Sequence, residues 1–424
     1  MQLELTTYLD LQATVKNERY LEFLKASQAA ALASIKKRLR AGRKIRLAIQ
    51  ATRIQIWPSD ELVRLFLADP RFETEVVLIW ENIEEMTEEN ALNSLADYFA
   101  ERGLPYRKAD GSVSPSDYDI IIYTFPYWWA FDHFHAQDVP LTTLLCYIPY
   151  CFWQGKLYDK GFNLNFHNAL WKYFQFTREY GKMASEHRDI GSHGMIYTGY
   201  PKLDPLLEPS YGNKAKWKIA PGQDPAKVKK IIWAPHHTLA GEQATATFLD
   251  NYEFMLSFAS SHPEYSFFFK PHQCLSLAAI DYGLFANLAD YYRYCEAWDN
   301  LPNARFSIGG YMDYFQSSDA LITDCDSFLT EYLYVNKPCL YLMNGVADFN
   351  DWGSGCLEHF YKVRGRDYPG IVHFINHLID TDPKRPAREQ FYKEHLDYYT
   401  ETGRTAAENV YHAIATEFDD IRPC

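Results

Sequence analysis

Ser318-Asp319-Ala320-Leu321-Ile322-Thr323-Asp324-Cys325-Asp326-Ser327-Phe328-Leu329-Thr330-Glu331, running on to Lys337-Pro338, decides the fold. Ala320–Ile322 reads as the end of a buried strand, the polar residues behind it as a turn, and the stretch from Ser327 up to Pro338 as a helix. A helix that starts directly behind a strand end presents free N–H groups and the positive end of its dipole beyond the sheet, which suits an oxyanion. Ser327 is read as the N-cap, with a hydroxyl that can also donate to such an anion. Glu331 lies one turn on, along the same face. The same residues would serve an ordinary capped helix, so the stretch becomes a site only through its neighbours.

Working outward, short apolar runs alternate with helical segments on both sides. Downstream of residue 228 the strands are Lys230–Ala234, Ser266–Lys270, Ala304–Ser307, Ala320–Thr323 and Cys339–Leu342. Helices are expected at 245–260, 275–293, 311–317 and 327–335, and the tail 371–417 has helical periodicity. Upstream, the strands are Ile45–Ile49, Glu75–Trp80, Tyr118–Tyr123, Leu141–Ile148, Tyr173–Phe176 and Met195–Thr198, with Ser59-Asp60 capping the first intervening helix. Continuous apolar strands between helices predict parallel sheets covered on both faces. Residues 205–228, rich in Pro, Gly, Lys and Asp, read as a linker. The expected architecture is α/β: a helical extension (1–43) and two Rossmann-like doubly wound domains facing a cleft (44–210 and 211–424). No Gly-x-Gly-x-x-Gly is present to suggest a dinucleotide-dependent oxidoreductase.

Composition narrows the function. The net charge of -13 argues against nucleic-acid binding, which needs a basic footprint, so an anionic substrate must be held by a local site. The 8 cysteines form no Cys-x-x-Cys pair, which points to a reducing cytosol. Met1–Asp10 is polar and acidic, unlike a signal peptide, and no apolar run reaches the ~18 residues of a membrane span. Between Lys36 and Arg46 stand seven cations (Lys36, Lys37, Arg38, Arg40, Arg43, Lys44, Arg46) with no acid among them. They read either as a solvated helix end or as peripheral contact with an anionic membrane face.

Four polar clusters follow strand ends in the second half: Pro235-His236-His237-Thr238, Lys270-Pro271-His272, Ser307-Ile308-Gly309-Gly310 and Thr323-Asp324-Cys325-Asp326-Ser327. Together on one sheet edge they make a phosphate pocket, with Lys270 and His272 neutralising charge and Ser327 with the helix amides binding oxygens. Asp324-Cys325-Asp326 also has the spacing of a magnesium-binding carboxylate pair, although the phosphate reading requires no cofactor.

The order Trp-Ala-Pro-His-His, Phe-Lys-Pro-His, Thr-Asp-x-x-Ser-x-x-x-Glu and Lys-Pro resembles the CDP-glycerol glycerophosphotransferase family, the polyol-phosphate transferases of teichoic-acid and capsule synthesis. Thr198-Gly199-Tyr200-Pro201-Lys202-Leu203-Asp204 is similar to that family's Gly-x-Pro-x-x-Asp interdomain loop, and Gly403-Arg404-Thr405-Ala406-Ala407-Glu408 to its closing segment. The resemblance implies a GT-B-type fold. It implies transfer of glycerol phosphate, or another polyol phosphate, from a CDP-linked donor to a hydroxyl of a glycan or lipid-linked acceptor, with CMP released at the inner face of the cell membrane. It places His272, Asp326 and Ser327 on the donor pyrophosphate, with Lys270, Gly309, Thr323 and Asp324 around them, and Glu331 on ribose or glycerol hydroxyls. Three departures stand out. Asp326 occupies the place of a serine. Tyr150 stands where the family has the histidine of Trp-His-Gly, which leaves His133, His135 or His167 as the base, and His236-His237 stand where an arginine is usual. A nucleotide-sugar glycosyltransferase and a non-catalytic carbohydrate-binding protein remain as alternatives, the latter from the 16% aromatic content and the missing histidine.

Overall fold

The computed structural model describes residues 6–14, 19–81, 87–241, 244–345 and 348–421. Parts of the Met1–Asp10 and 11–41 readings, residues 1–5 and 15–18, lie outside them, as does Cys424. The chain divides into two compact units. One comprises residues 1–152, 157–204 and 395–424, the other 153–156 and 205–394.

The first unit is built on seven strands among the described residues. They are β1 (Ile45–Ala51), β2 (Phe72–Leu78), β3 (Tyr106–Lys108), β4 (Ile120–Tyr123), β5 (Leu144–Tyr147), β6 (Lys172–Gln175) and β7 (Met195–Tyr197), in the spatial order β3-β2-β1-β4-β5-β6-β7. Each pairing is parallel. The central strands β4 and β5 are buried at every residue, as the apolar runs required. The helix Asp60–Ala68 starts on the expected cap: Ser59 accepts from the Leu62 N–H at 3.2 Å.

The amino-terminal helix is no separate extension. Tyr20–Arg40 buries Tyr20, Leu24, Gln28, Ala31, Ile35 and Leu39, a stripe at three- and four-residue spacing. The Tyr20 hydroxyl donates to the Asn168 carbonyl at 2.8 Å, and Arg38 pairs with Asp119, fixing the helix to the sheet of this unit. The basic run is therefore partly spent on its own chain. Lys36 and Arg40 both pair with Asp420, at 3.0 and 2.8 Å, while Lys37, Arg43, Lys44 and Arg46 are exposed.

The carboxy-terminal residues also differ from the expected division. Residues 395–421 leave the second unit and pack on the first. The Gly199–Asp204 element holds them there. The Asp204 carboxylate accepts from the Ala406 and Ala407 N–H groups at 2.8 and 2.9 Å and from the Tyr398 hydroxyl at 2.5 Å, so it seats the start of the helix Ala406–Ala415. Gly199 has φ +81°, and a Cβ there would lie 2.3 Å from Tyr398 Cγ. The boundary thus falls at Asp204/Pro205 instead of 210/211, and these loop residues act as a dock for the tail.

The second unit carries β8 (Lys229–Ala234), β9 (Tyr265–Phe269), β10 (Ala304–Phe306), β11 (Ala320–Thr323), β12 (Cys339–Met343) and β13 (Tyr361–Arg364), ordered β10-β9-β8-β11-β12-β13 and parallel throughout. One face is filled by Trp233, Phe267, Phe269 and Trp298, with Trp233 and Trp298 each 4.9 Å from the Phe269 ring. The expected helix over 275–293 is broken at Gly283 (φ +85°) into Leu275–Asp281 and Leu288–Asp299.

Replacing Gly199 by Ala forces the new methyl group into Tyr398 from a left-handed backbone. Gly199→Ala is expected to cost roughly 2 kcal/mol or more in urea unfolding. An unchanged midpoint would remove the docking role of this element.

Candidate functional site

In the second sheet the strand order reverses between β8 and β11, the crevice where ligands bind in open α/β sheets. The four polar clusters follow β8, β9, β10 and β11, which are neighbours in that sheet. The topology therefore brings all four to one carboxyl edge.

Backbone bonds lock the loops to one another. The Lys270 N–H donates to the Trp233 carbonyl at 2.8 Å, and the His272 N–H to the Pro235 carbonyl at 2.9 Å. Thr323 donates its hydroxyl to the Ala234 carbonyl at 2.6 Å and accepts from the Cys325 N–H at 3.0 Å. Asp324 accepts from the His236 N–H at 2.6 Å, from the Thr247 hydroxyl at 2.8 Å and from the Thr247 N–H. Burial pushes the Asp324 carboxyl up to about 6 against the pull of these donors.

Three imidazoles gather on this frame. Ring centroids are 4.3 Å apart for His236 and His237, 4.1 Å for His237 and His272, and 5.0 Å for His236 and His272. Burial, and then the neighbouring His237, hold His236 well below the ordinary imidazole range, so it is neutral at pH 7. His272 Nδ1 accepts from the Cys274 N–H at 3.1 Å, which leaves Nε2 as the protonated nitrogen of the neutral ring and a donor. Lys270 is 5% exposed, with Nζ 5.5 Å from the centre of the Tyr311 ring.

The helix of this site runs Asp326–Leu333, and its N-cap is Cys325, not Ser327. Ser327 sits inside the first turn, 3.5 Å from Cys325 Sγ. No side-chain hydrogen bond from Cys325 caps the helix, so the first-turn amides are not closed off by their own cap. Asp326, the serine replacement, is half-buried and accepts from the Tyr341 hydroxyl at 2.8 Å. Burial raises its carboxyl to about 6, with Tyr341 pulling the other way. An acid is tolerated at this helix start because the dipole favours it and a phenol hydrogen-bonds it.

Several expected ligand contacts turn out to be internal. Thr323 (0% exposed) and Asp324 (1%) are committed to the frame, so the carboxylate pair for magnesium loses one member. Glu331 is 1% exposed and accepts from Tyr311 at 2.6 Å, so its carboxylate orients Tyr311. Tyr341, Thr247 and Tyr311 were not visible as site residues; with Thr238 of the first cluster they hold the visible ones in place. Gly309 is half-exposed in the loop after β10, its N–H donating to Ser307 Oγ at 3.0 Å.

The expected bases of the first half lie in the first unit. Tyr150 packs on Phe125 with centroids 5.1 Å apart, and burial raises its phenol well above 10, which rules it out as a base near neutrality. His167 is a core histidine: 0% exposed, lowered by burial to about 3, with Nδ1 accepting from the Leu164 N–H at 3.1 Å. His133 and His135 follow β4 and are half-buried, with His135 Nε2 3.2 Å from the Asp132 carbonyl.

Known proteins agree with this architecture. The wall teichoic acid polymerase TagF superposes with a TM-score of 0.56 at 11% identity, over 94% of this chain and 95% of that one. A form of TagF soaked with CDPG gives 0.55 at 12% identity, over 96% and 98%. A putative UDP-N-acetylglucosamine 2-epimerase from Listeria monocytogenes gives 0.57 at 13%, over 89% and 97%. At these identities the likeness is one of fold, the GT-B arrangement of two parallel α/β units. No curated protein matches the sequence. The family model described as CDP-Glycerol:Poly(glycerophosphate) glycerophosphotransferase matches residues 163–415, more than half of the chain and all four strand-end loops. The protein belongs to the CDP-glycerol:poly(glycerophosphate) glycerophosphotransferase family and is a transferase acting on CDP-glycerol.

Proposed function

We propose that the carboxyl edge of the second sheet holds the donor diphosphate. The observation that carries this reading is the convergence of three imidazoles and an uncapped helix start at the switch point of a parallel sheet. The first-turn amides and Ser327 hydroxyl donate to phosphate oxygens, His272 donates through Nε2, and Lys270 supplies positive charge beneath them. An acceptor hydroxyl attacks the distal phosphorus in line. The new bond joins that oxygen to phosphorus, the bridging P–O bond breaks, CMP leaves with the bridging oxygen, and the hydroxyl proton passes to the leaving CMP or to water. Such a transfer needs alignment and charge stabilisation more than covalent chemistry. The acceptor is a glycan or lipid-linked polyol phosphate. The exposed Lys37, Arg43, Lys44 and Arg46 hold the enzyme against an anionic membrane face; among the described residues no helix is long and apolar enough to cross a bilayer.

His272→Ala is expected to lower CMP release from CDP-glycerol about 100-fold or more, and Ser327→Ala about tenfold or more, with UDP-sugars giving no UDP. Full activity in both variants would contradict the donor site, and UDP release would favour a glycosyltransferase.

Asp326 adds a pH dependence. Below about 6 its carboxyl is neutral and beside a phosphate it can donate; above, it is ionised and repels the anion. CDP binding by calorimetry should therefore weaken as pH rises through about 6, and Asp326→Asn should remove that step. Parallel pH profiles for the two proteins would refute this role.

Reversing Lys37, Arg43 and Lys44 to Glu should abolish co-sedimentation with phosphatidylglycerol vesicles at low salt, each basic residue contributing about 1 kcal/mol. Undiminished sedimentation would exclude this face as the contact.

A further inference from the structure

Asp324 and Asp326 are poor metal ligands because their oxygens already accept from Thr247, the His236 amide and Tyr341. The imidazoles beside them are a different matter. His236, His237 and His272 each offer a nitrogen, and the three nitrogens lie within 4.8 Å of one another. We propose that these three histidines form a binding site for a divalent transition-metal ion of the zinc class.

Geometry supports it in three ways. First, the ligands come from two adjacent strand ends, after β8 and β9, tied together by the His272 N–H to Pro235 carbonyl bond, so the frame is set before any ion arrives. Second, His236 Nδ1 lies 2.9 Å from Thr238 Oγ1, which in turn contacts Thr245 Oγ1 at 2.8 Å. With Nδ1–H donating to Thr238, Nε2 is the nitrogen left for an ion, and Thr238 is an orienting partner of the kind metal-bound histidines have. Third, the rings are half-buried, close to the surface where an ion enters. Zinc–nitrogen bonds of about 2.0–2.1 Å put tetrahedral ligands roughly 3.3 Å apart, so nitrogens already within 4.8 Å close by at most about 1.5 Å.

The His272 ring makes a bond that opposes binding. The Cys274 N–H donates to His272 Nδ1, and a metal on Nε2 requires the ring proton to sit on Nδ1 instead. Binding therefore needs the Cys274 N–H to turn away from the reprotonated Nδ1, a local shift of the loop start that the metal bonds must drive. Three imidazoles select zinc, nickel, cobalt or copper over magnesium, which prefers oxygen. Three protein ligands leave a fourth position open, the arrangement of sites that bind a water or a substrate oxygen. A His272 Nε2 that ligates an ion cannot also donate to phosphate, so metal and diphosphate make alternative uses of this nitrogen, and titration with the metal alone tests the inference apart from the donor assignment.

The test uses the untagged full chain, stripped with EDTA and titrated with zinc by calorimetry and with cobalt by visible absorption. One ion per chain and the intense bands of four-coordinate cobalt are expected, with no heat from magnesium. His237→Asn and His272→Asn, separately, should each weaken zinc binding at least tenfold, while His262→Asn, in an exposed pair with Glu264, leaves it unchanged. Circular dichroism establishes that the variants are folded. Absence of stoichiometric uptake, or equal zinc affinity in folded His237→Asn and His272→Asn, would overturn the site.

Discussion

One buried carboxylate organises the second unit. Asp324 follows β11 directly and reaches across to the loop after β8, taking the His236 N–H and both donors of Thr247, the N-cap of the helix Phe248–Ser261. These bonds join the two strands between which the sheet order reverses, and they bend the β8 loop so that His236 and His237 stand beside His272. Hydrogen bonds to an ionised group contribute about 1.5–3 kcal/mol each, and here they offset only part of the burial that raises the Asp324 carboxyl to about 6. Without the carboxylate, the His236 and Thr247 donors would lose their partner in a buried setting, and the loop carrying two imidazoles would lose its anchor.

The rest of the site follows from that frame. Thr323 repeats the link one residue earlier, between its hydroxyl and the Ala234 carbonyl. With the β11 turn held tightly, the helix Asp326–Leu333 begins at once, with Cys325 as an N-cap that supplies no side-chain bond. Asp326 then sits in the first turn, where the dipole and Tyr341 accommodate it. The same structure thus accommodates an acid at this helix start, and in the proposed donor site that acid, pushed up to about 6, would be the source of pH sensitivity.

Much of the fold was legible because buried parallel strands announce themselves as apolar runs: Ile120–Tyr123 and Ala320–Thr323 were read to the correct residues or nearly so. The strands that escaped, Tyr106–Lys108 and Tyr361–Arg364, lie at sheet edges and are polar, so no run marks them. The division of the tail was equally hidden. Thr405 and Glu408 form a capping box that is local, but the carboxylate receiving the next two amides comes from Asp204, some two hundred residues away. In the site, the sequence located the four loops and not the fate of each side chain. Asp324 and Glu331 looked available because their partners, Thr247 and Tyr311, belong to other elements and carry no motif. Ser327 was displaced as cap because the helix begins at Asp326.

The central claim is that a nucleoside diphosphate seats at this sheet edge. A crystal structure of the protein with CDP tests it directly. The account predicts the diphosphate within hydrogen-bonding distance of the Ser327 amide and His272, in the crevice between β8 and β11. A diphosphate bound elsewhere, with this edge bare, would contradict it.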